Sequence, residues 1–442
     1  MGMTSQTIRE IVKEEKINVI RFFFTDVLGN LKGLNIDVGQ LDSAMEQGIQ
    51  FDGSSVEGFV RIEESDLIVM PDLETFRIFP LRDGGVRSAF FICDVLYPDR
   101  RPLESDPRSI LRRNLRRAAD LGFDHFYIGP ELEFFYFPDA KTPVPTDNGG
   151  YFDVLPLDRS ATVRSRTLAT LREMGMRMEA AHHEVAAGQH EIDFRYEEAL
   201  LMADQIVIAK VLIKEIAREE GLYATFMPKP INGVNGSGMH VHQSLFSNGV
   251  NAFYSDDDEY NLSEIGRRYI AGLLAHAKEF TAVTNQCVNS YKRLVPGYEA
   301  PVYTVWGRRN RSALVRVPAF RPGQSNSCRV EYRAPDAAAN PYLAFAVLLA
   351  AGLEGIEKGY VVEPPTEDDV YSMSDRERGE RKIDSLPGDL FSATLACRRS
   401  RVVKDALGPV LFDKFVKNKL AEWERYRVQV TDFEIATYLP ML

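Results

Sequence analysis

Three common nucleotide-binding signatures are missing from this 442-residue chain, which has no G-x-x-x-x-G-K-[ST] loop, no G-x-G-x-x-G turn and no H-R-D set. Any nucleotide it binds is therefore held by neither a P-loop nor a dinucleotide-binding turn. Cysteine is scarce. Cys93, Cys287, Cys328 and Cys397 form no C-x-x-C pair and no disulfide-framework spacing, so a reducing, cytoplasmic setting is expected. Positive charge is also short: Lys and Arg number 53 against 64 Asp and Glu, a net charge of −11. That balance argues against nucleic acid or an anionic membrane as partner. No long apolar run occurs. The most apolar stretch, Tyr342 to Leu353, is shorter than the roughly 20 residues needed to cross a bilayer. Asn340-Pro341 before it reads as an N-cap and first helical residue, which predicts a buried core helix. Met1 to Ile17 mixes Arg, Glu and Lys among its apolar residues and lacks the apolar core of a signal peptide.

What is present describes a chain large enough for two unequal domains. The first ~100 residues read as a small α+β unit. A helix is expected over Ser5 to Glu15, with strands at Asn18 to Phe24, Leu31 to Val38, Phe76 to Phe79 and Ser88 to Val95. A Gly/Ser loop, Phe51-Asp52-Gly53-Ser54-Ser55, falls between them. The polar, Pro-punctuated Tyr97 to Pro102 reads as a linker. Asp106-Pro107 then caps a helix running to about Gly122. Beyond it, strand pairs joined by short turns predict a mainly antiparallel sheet with helices packed on it. Glu363 to Gly388, rich in charge, Pro and Ser, reads as a surface excursion. There is no internal repeat and no low-complexity tract.

Four strand-like segments carry acidic or imidazole groups in a two-residue rhythm, which puts them on one face of each strand. They are Glu131 and Glu133 in GPELEFF; Glu184 and Glu191, flanking a Gly-containing turn in HHEVAAGQHEI; His240, His242 and Ser244 in GMHVHQS; and Arg329, Glu331 and Arg333 in RVEYR. Any one of these could be an ordinary strand with its polar face in water. Together they supply a donor set of five glutamates and one histidine, His240. That donor set suits hard divalent cations such as Mg²⁺ or Mn²⁺ better than zinc, since no cysteine takes part.

A second grouping is electrostatic. Lys292, Arg293, Arg308, Arg309, Arg311, Arg316, Arg321, Arg329 and Arg333 fall in one stretch with only Glu299 and Glu331 against them. Arginine grips carboxylate and phosphate bidentately. A basic surface patch or subunit interface would look similar, but beside a cation site the pattern fits phosphoryl transfer. The glycine-rich Asn232 to Gly238 leads into the His240 strand and would let backbone N–H groups approach a ligand.

These segments, with KRLVPGYEAP at 292–301, RNRS at 309–312 and FDGSS at 51–55, resemble type I glutamine synthetase along essentially the whole chain. The resemblance implies an α+β fold, with a small N-terminal β-grasp-like domain (1–104) and a large catalytic domain (105–442) built on a mainly antiparallel sheet with surrounding helices. It implies two or more Mg²⁺ or Mn²⁺ per subunit, one held by Glu133, Glu184 and Glu191, the other by Glu131, His240 and Glu331. Arg293 and Arg333, with Asn235, Gly236 and Glu299, would bind glutamate. Arg311, Arg316 and Arg329 would face the ATP phosphates, with His242 and Ser244 near the nucleotide. Asp52 and Glu299 match an ammonium site, and Tyr151 and Ser55 are further candidates.

The implied reaction makes γ-glutamyl phosphate from glutamate and ATP. Ammonium gives up a proton to Asp52, and the ammonia so formed attacks it under a Glu299-bearing lid. The resemblance further implies a homo-oligomer, a dodecamer of two hexameric rings, with active sites between subunits and the Tyr438 to Leu442 tail docking across rings. Ile383-Asp384-Ser385-Leu386-Pro387 lacks the tyrosine of adenylylated members. Arg61 matches a residue of glutamine feedback inhibition in the α subgroup. The rival readings are a ligase for polyamines or other amines, and a non-catalytic ligand-sensing relative.

Overall fold

The computed structural model describes residues 2–56, 66–80, 85–321 and 323–442. Arg61 lies outside them. The first sheet comprises β1 (Val19–Thr25), β2 (Leu31–Asp37), β3 (Ile49–Asp52), β4 (Asp66–Pro71), β5 (Arg77–Ile78) and β6 (Ser88–Leu96). Its order is β2-β1-β6-β4-β3, with β5 pairing to β6. The parallel β1–β6 pair joins otherwise antiparallel neighbours. Alternate residues Ile20, Phe22 and Phe24 of β1 pack with Phe76, Phe91 and the helix Ser5–Glu14 in one core. The helix Leu41–Gln47 and the strand Asp66–Pro71 go beyond the elements expected above. Neither was legible, because a seven-residue helix and a six-residue apolar run carry too little periodicity. The supposed linker is a tight turn: Tyr97 N–H donates to the Arg101 carbonyl, and Leu103 is buried.

The second sheet has ten strands: β7 (His125–Phe137), β8 (Met178–His183), β9 (Gln189–Phe194), β10 (Glu197–Glu198), β11 (Tyr223–Thr225), β12 (Met239–Ser247), β13 (Val250–Asn251), β14 (Tyr303–Gly307), β15 (Ala313–Arg316) and β16 (Val330–Tyr332). Its main path is β14-β15-β16-β12-β7-β9-β8, antiparallel except at β14–β15. One face carries Leu132, Phe134, Ile192, Met239, Val241 and Tyr332 into the larger core. The other face carries the polar residues described below. The helix Pro341–Lys358 starts as expected: the Asn340 side chain accepts from Tyr342 N–H, and Pro341 occupies the first turn. As far as Leu353 it is apolar all round and lies buried among the other helices of this core. Among the described residues no helix is long and apolar enough to cross a membrane.

Arg108, at the start of the helix Pro107–Asp120, joins the two halves. It is 3% exposed and bonds Asp204 through Nε at 3.0 Å and Nη2 at 2.9 Å, Asp94 at 2.7 Å and Asp72 at 2.8 Å. Asp72 and Asp94 belong to the first sheet and its flank, whereas Asp204 lies in the helix Ala199–Glu219. Burial would raise the Asp94 carboxyl, but Arg108 and Arg112 overcome it and hold the group below its ordinary range. Removing Arg108 takes the shared cation from three carboxylates, leaving Asp72 and Asp94 to the more exposed Arg112 and Asp204 to the Tyr342 hydroxyl. Arg108→Ala should therefore cost about 3–5 kcal/mol, measured as a fall in the denaturant midpoint of the full-length protein. An unchanged midpoint would contradict this account.

Candidate active site

The polar face of the large sheet is a lattice of ligand-type side chains, set by strand register. Glu133 on β7 stands opposite Glu191 on β9, which in turn faces His182 on β8. Glu131 lies between Asp193 on β9 and His240 on β12. Glu331 on β16 lies between His242 on β12 and Arg316 on β15. Cross-strand neighbours are about 4.5–5.5 Å apart, so the two-residue rhythm in each strand becomes a grid when the strands pair. All of these side chains except His242 line a cleft of about 630 Å³, together with Tyr151, Glu184, Glu299, Arg311 and Arg333.

Electrostatically the cleft has two halves. In the first, His240 Nδ1 lies 2.8 Å from Glu131 Oε2, and His242 Nε2 lies 2.7 Å from Glu131 Oε1. Arg316 and Arg333 bond Glu331 at 3.0 and 3.1 Å. Burial pushes both carboxyls up, but the histidine hydrogen bonds hold Glu131 well below its ordinary range. His242 and Arg333 do the same, less strongly, for Glu331. In the second half, His182, 3.1 Å from Glu191, is the only basic side chain within ion-pair distance of Glu184 or Glu191 among the described residues. Burial and the Glu133 charge push Glu184 up to about 8 and Glu191 up to about 12. Without cations this half holds protons.

The expected cation ligands all line this cleft, though not quite in the expected sets. His182, Glu184 and Glu191 present ligand atoms within 4.8 Å of one another, as do Glu131, His242 and Glu331. His240 lies 3.7 Å from Glu331 and 4.0 Å from Glu133, so it borders both groups. Glu133 turns one oxygen to neutral donors, Gln189 Nε2 at 2.9 Å and Gly238 N–H at 2.8 Å. His182 is a candidate that pattern reading passed over, although it shares the two-residue rhythm with Glu184.

Asn235, Gly236, Arg293, Tyr298 and Glu299 line a recess that also touches Glu133 and His240. Arg293 is buried and donates to the Ala334 carbonyl at 2.7 Å. A Cβ on Gly238 would stand 2.5 Å from Arg293 Nη2 and 2.9 Å from Glu133 Oε1, so any larger residue here would displace the ends of both side chains. His242, Ser244, Arg316 and Arg329 line an adjoining cavity of about 300 Å³ with Tyr127 and Tyr196. Glu131, Asp193 and Arg316 border both spaces.

Asp52 does not join them. It ends the edge strand β3, is exposed, and accepts from Ser54 N–H at 2.9 Å; Ser55 lies in the same turn. The supposed surface excursion is a correction to the expected outline. Its residues Glu367, Asp369 and Tyr371 line the cleft, and Val370 is fully buried. Tyr371 donates to the Ala300 carbonyl at 2.8 Å, and Glu367 accepts from Arg308 and Arg309 N–H. Charge and proline masked this role, since neither shows which side of a loop faces inward. Ile383–Pro387 indeed holds no tyrosine, but Tyr371 lies earlier in the same excursion, and Ser385 pairs with Tyr303.

Paired-strand carboxylates facing arginines across one cleft define a site for divalent cations and multiply charged anions. Family models narrow this class. "Glutamine synthetase, beta-Grasp domain" matches residues 16–98, and "Glutamine synthetase, catalytic domain" matches residues 104–438. The chain belongs to the glutamine synthetase family. It is 49% identical over 447 residues to a glutamine synthetase of Mycobacterium tuberculosis, covering 100% of both chains. It is 48% identical over 446 residues to that of Thermus thermophilus, covering 99% of both. A solved GmaS/ADP complex superposes with a TM-score of 0.88 at 32% identity, over 98% of this chain and 99% of that one.

The raised carboxyls give a pH signature. Glu184 binds its proton in the folded protein up to about 8, against an ordinary value of 4.5. The folded state therefore holds more protons than the unfolded one across that window. The contribution of this group to the stability of the metal-stripped protein should be fully present below about pH 4.5 and be lost as pH rises towards 8. Saturating Mg²⁺ or Mn²⁺ should flatten the decline by replacing the protons. Thermal melts from pH 5 to 9, with chelator or with metal, read this directly. A chelated protein that gains stability over that range would contradict it.

Proposed function

We propose that this chain is a glutamate–ammonia ligase. It transfers the γ-phosphoryl group of ATP to the side-chain carboxylate of L-glutamate, and ammonia then displaces phosphate to give L-glutamine. One observation carries the reading: carboxylates for cations and arginines for anions share one cleft, in a chain about half identical along its length to glutamine synthetases.

The donor set, carboxylate and imidazole with no thiolate, fits two or more Mg²⁺ or Mn²⁺ per subunit. When bound, such ions supply Lewis-acid stabilisation of charge on the transferred phosphoryl group. Glu133, Glu184 and Glu191 are assigned to one, with His182 beside them. Glu131, His240 and Glu331 are assigned to the other, with His242 adjacent. Arg293 and Arg333 grip the carboxylates of glutamate, beside Asn235 and Gly236. Arg311, Arg316 and Arg329 neutralise the ATP phosphates, and the cavity at His242 and Ser244 takes the nucleoside end.

Glu299 and Tyr151 attract ammonium inside the cleft. Asp52 completes that pocket from a neighbouring subunit. Its exposure at a sheet edge, away from its own cleft, agrees with such delivery. Ser54 hydrogen bonds hold its carboxyl below the ordinary value, so it is ionised and attracts the ammonium cation, whose proton it accepts in this proposal. The Tyr371 bond to Ala300 steadies the Glu299 loop, which excludes water from the acyl phosphate.

The assembly we propose is a cytoplasmic homo-oligomer, a dodecamer of two hexameric rings. Two exposed apolar features support it: the terminal segment, with Leu439 77% exposed, and Phe152, Val154, Leu155 and Leu157 beside the cleft. Control by glutamine through Arg61, without adenylylation at Ile383–Pro387, belongs to the same proposal.

The rival reading, a ligase for a polyamine or another amine, would keep the same cation and phosphate sites. Assaying glutamate, ATP and Mg²⁺ with ammonium and with a panel of amines separates the two. Ammonium-dependent ADP release with glutamine as product is expected, and activity only with other amines would overturn the proposal. Asp52→Ala should lower the ammonium-dependent rate by about 10²–10⁴-fold while ATP binding is retained. Unimpaired glutamine synthesis by that variant would remove Asp52 from its assigned role.

A further inference from the structure

Beneath the hairpin that carries Glu184 and Glu191 lies a buried group of side chains that none of these roles uses: Asp147, His183 and His190. Their ligand atoms are close enough together for a metal ion, but the hydrogen bonds argue otherwise. Arg164 can only donate, and its Nη1 lies 2.7 Å from His190 Nδ1. That nitrogen therefore accepts, and the ring proton occupies Nε2, which has no lone pair left to offer. The two ring nitrogens of His183 both face oxygens. Nδ1 is 2.7 Å from the Glu184 carbonyl, and Nε2 is 3.0 Å from Asp147 Oδ1.

We propose that His183, held by Asp147, is a positioning residue that fixes the backbone at Glu184 and so aims its carboxylate into the cation cluster. The inference rests on the proposed two-cation reading of the cleft. Asp147 is the anchor. Besides His183 it accepts from Gly188 N–H at 2.9 Å, Gly149 N–H at 3.2 Å and Arg159 N–H at 3.3 Å. One carboxylate thus ties the end of β8, the turn leading into β9 and the loop that presents Tyr151 and Phe152 to the cleft.

The fit is close: a Cβ on Gly149 would stand 2.7 Å from His183 Nε2. Both side chains are fully buried, so water cannot replace a lost partner and the geometry is held firmly. The hairpin passes this order on. Glu184 N–H donates to the Gln189 carbonyl at 2.8 Å, and Gln189 Nε2 donates to Glu133 at 2.9 Å. The hydrogen bonds of His183 and Asp147 run to backbone on the Glu184 side, whereas Glu131 and Glu331 take theirs from His240, His242, Arg316 and Arg333. The effect should therefore be confined to one cation.

Calorimetric titration of the metal-stripped, full-length protein with Mn²⁺ tests this. The wild type is expected to bind in two phases. His183→Gln keeps a donor for Asp147 but loses the one for the Glu184 carbonyl. It should weaken one phase about 10–100-fold and leave the other unchanged. Asp147→Asn, which keeps the shape and removes the charge, should weaken the same phase and serves if the first variant does not fold. Equal weakening of both phases would mark a merely structural role. That result, or unchanged binding in a variant whose circular dichroism and assembly size match the wild type, overturns the inference. A wild type that takes up no Mn²⁺ overturns the proposed function itself, and so is distinguishable.

Discussion

Glu184 and Glu191 stand beside Glu133, all three buried in the wall of one cleft, and the repulsion among these carboxylates governs what surrounds them. Isolated buried charge is too costly to persist, so it is protonated, paired or metal-bound. The chain uses pairing on one side, where His240, His242, Arg316 and Arg333 answer Glu131 and Glu331. On the other side Glu184 and Glu191 are held up at about 8 and about 12, a state that divalent cations would relieve. A site with this asymmetry is poised to take up cations.

The rest of the fold holds that arrangement still. Six of the seven strands on the main path of the large sheet bring a ligand-type residue or an arginine to the polar face, and the same strands bury Leu132, Ile192, Val241 and Tyr332 behind it. A one-residue slip in register would exchange the two sets. Arginines from β15, the loops and the segment after β16 line the same cleft, where bound cations and guanidinium groups together can neutralise a phosphoryl group in transit. The small sheet is fixed to the large domain by Arg108, so Asp52 has a defined place on the outer edge of the molecule.

Much of this was legible because strands convert sequence rhythm into geometry. Glu131/Glu133, His240/His242 and Arg329/Glu331/Arg333 reach one face by alternation alone, and Asn340-Pro341 marked its helix through a known cap. Register was not legible. Nothing in HHEVAAGQHE shows that His182, rather than Glu184, stands directly across from Glu191. Nor does composition reveal that Glu367, Asp369 and Tyr371 turn inward from a polar, proline-rich loop. Glutamate and ammonia, as opposed to an anion and a nucleophile, came from family motifs.

The central claim is that the sheet's carboxylates bind divalent cations as two separate groups. Anomalous diffraction from crystals soaked in Mn²⁺ tests it most directly. The account predicts two peaks in the cleft, one among Glu133, Glu184 and Glu191 and the other among Glu131, His240 and Glu331. Saturating Mn²⁺ that leaves both positions without a peak would contradict it.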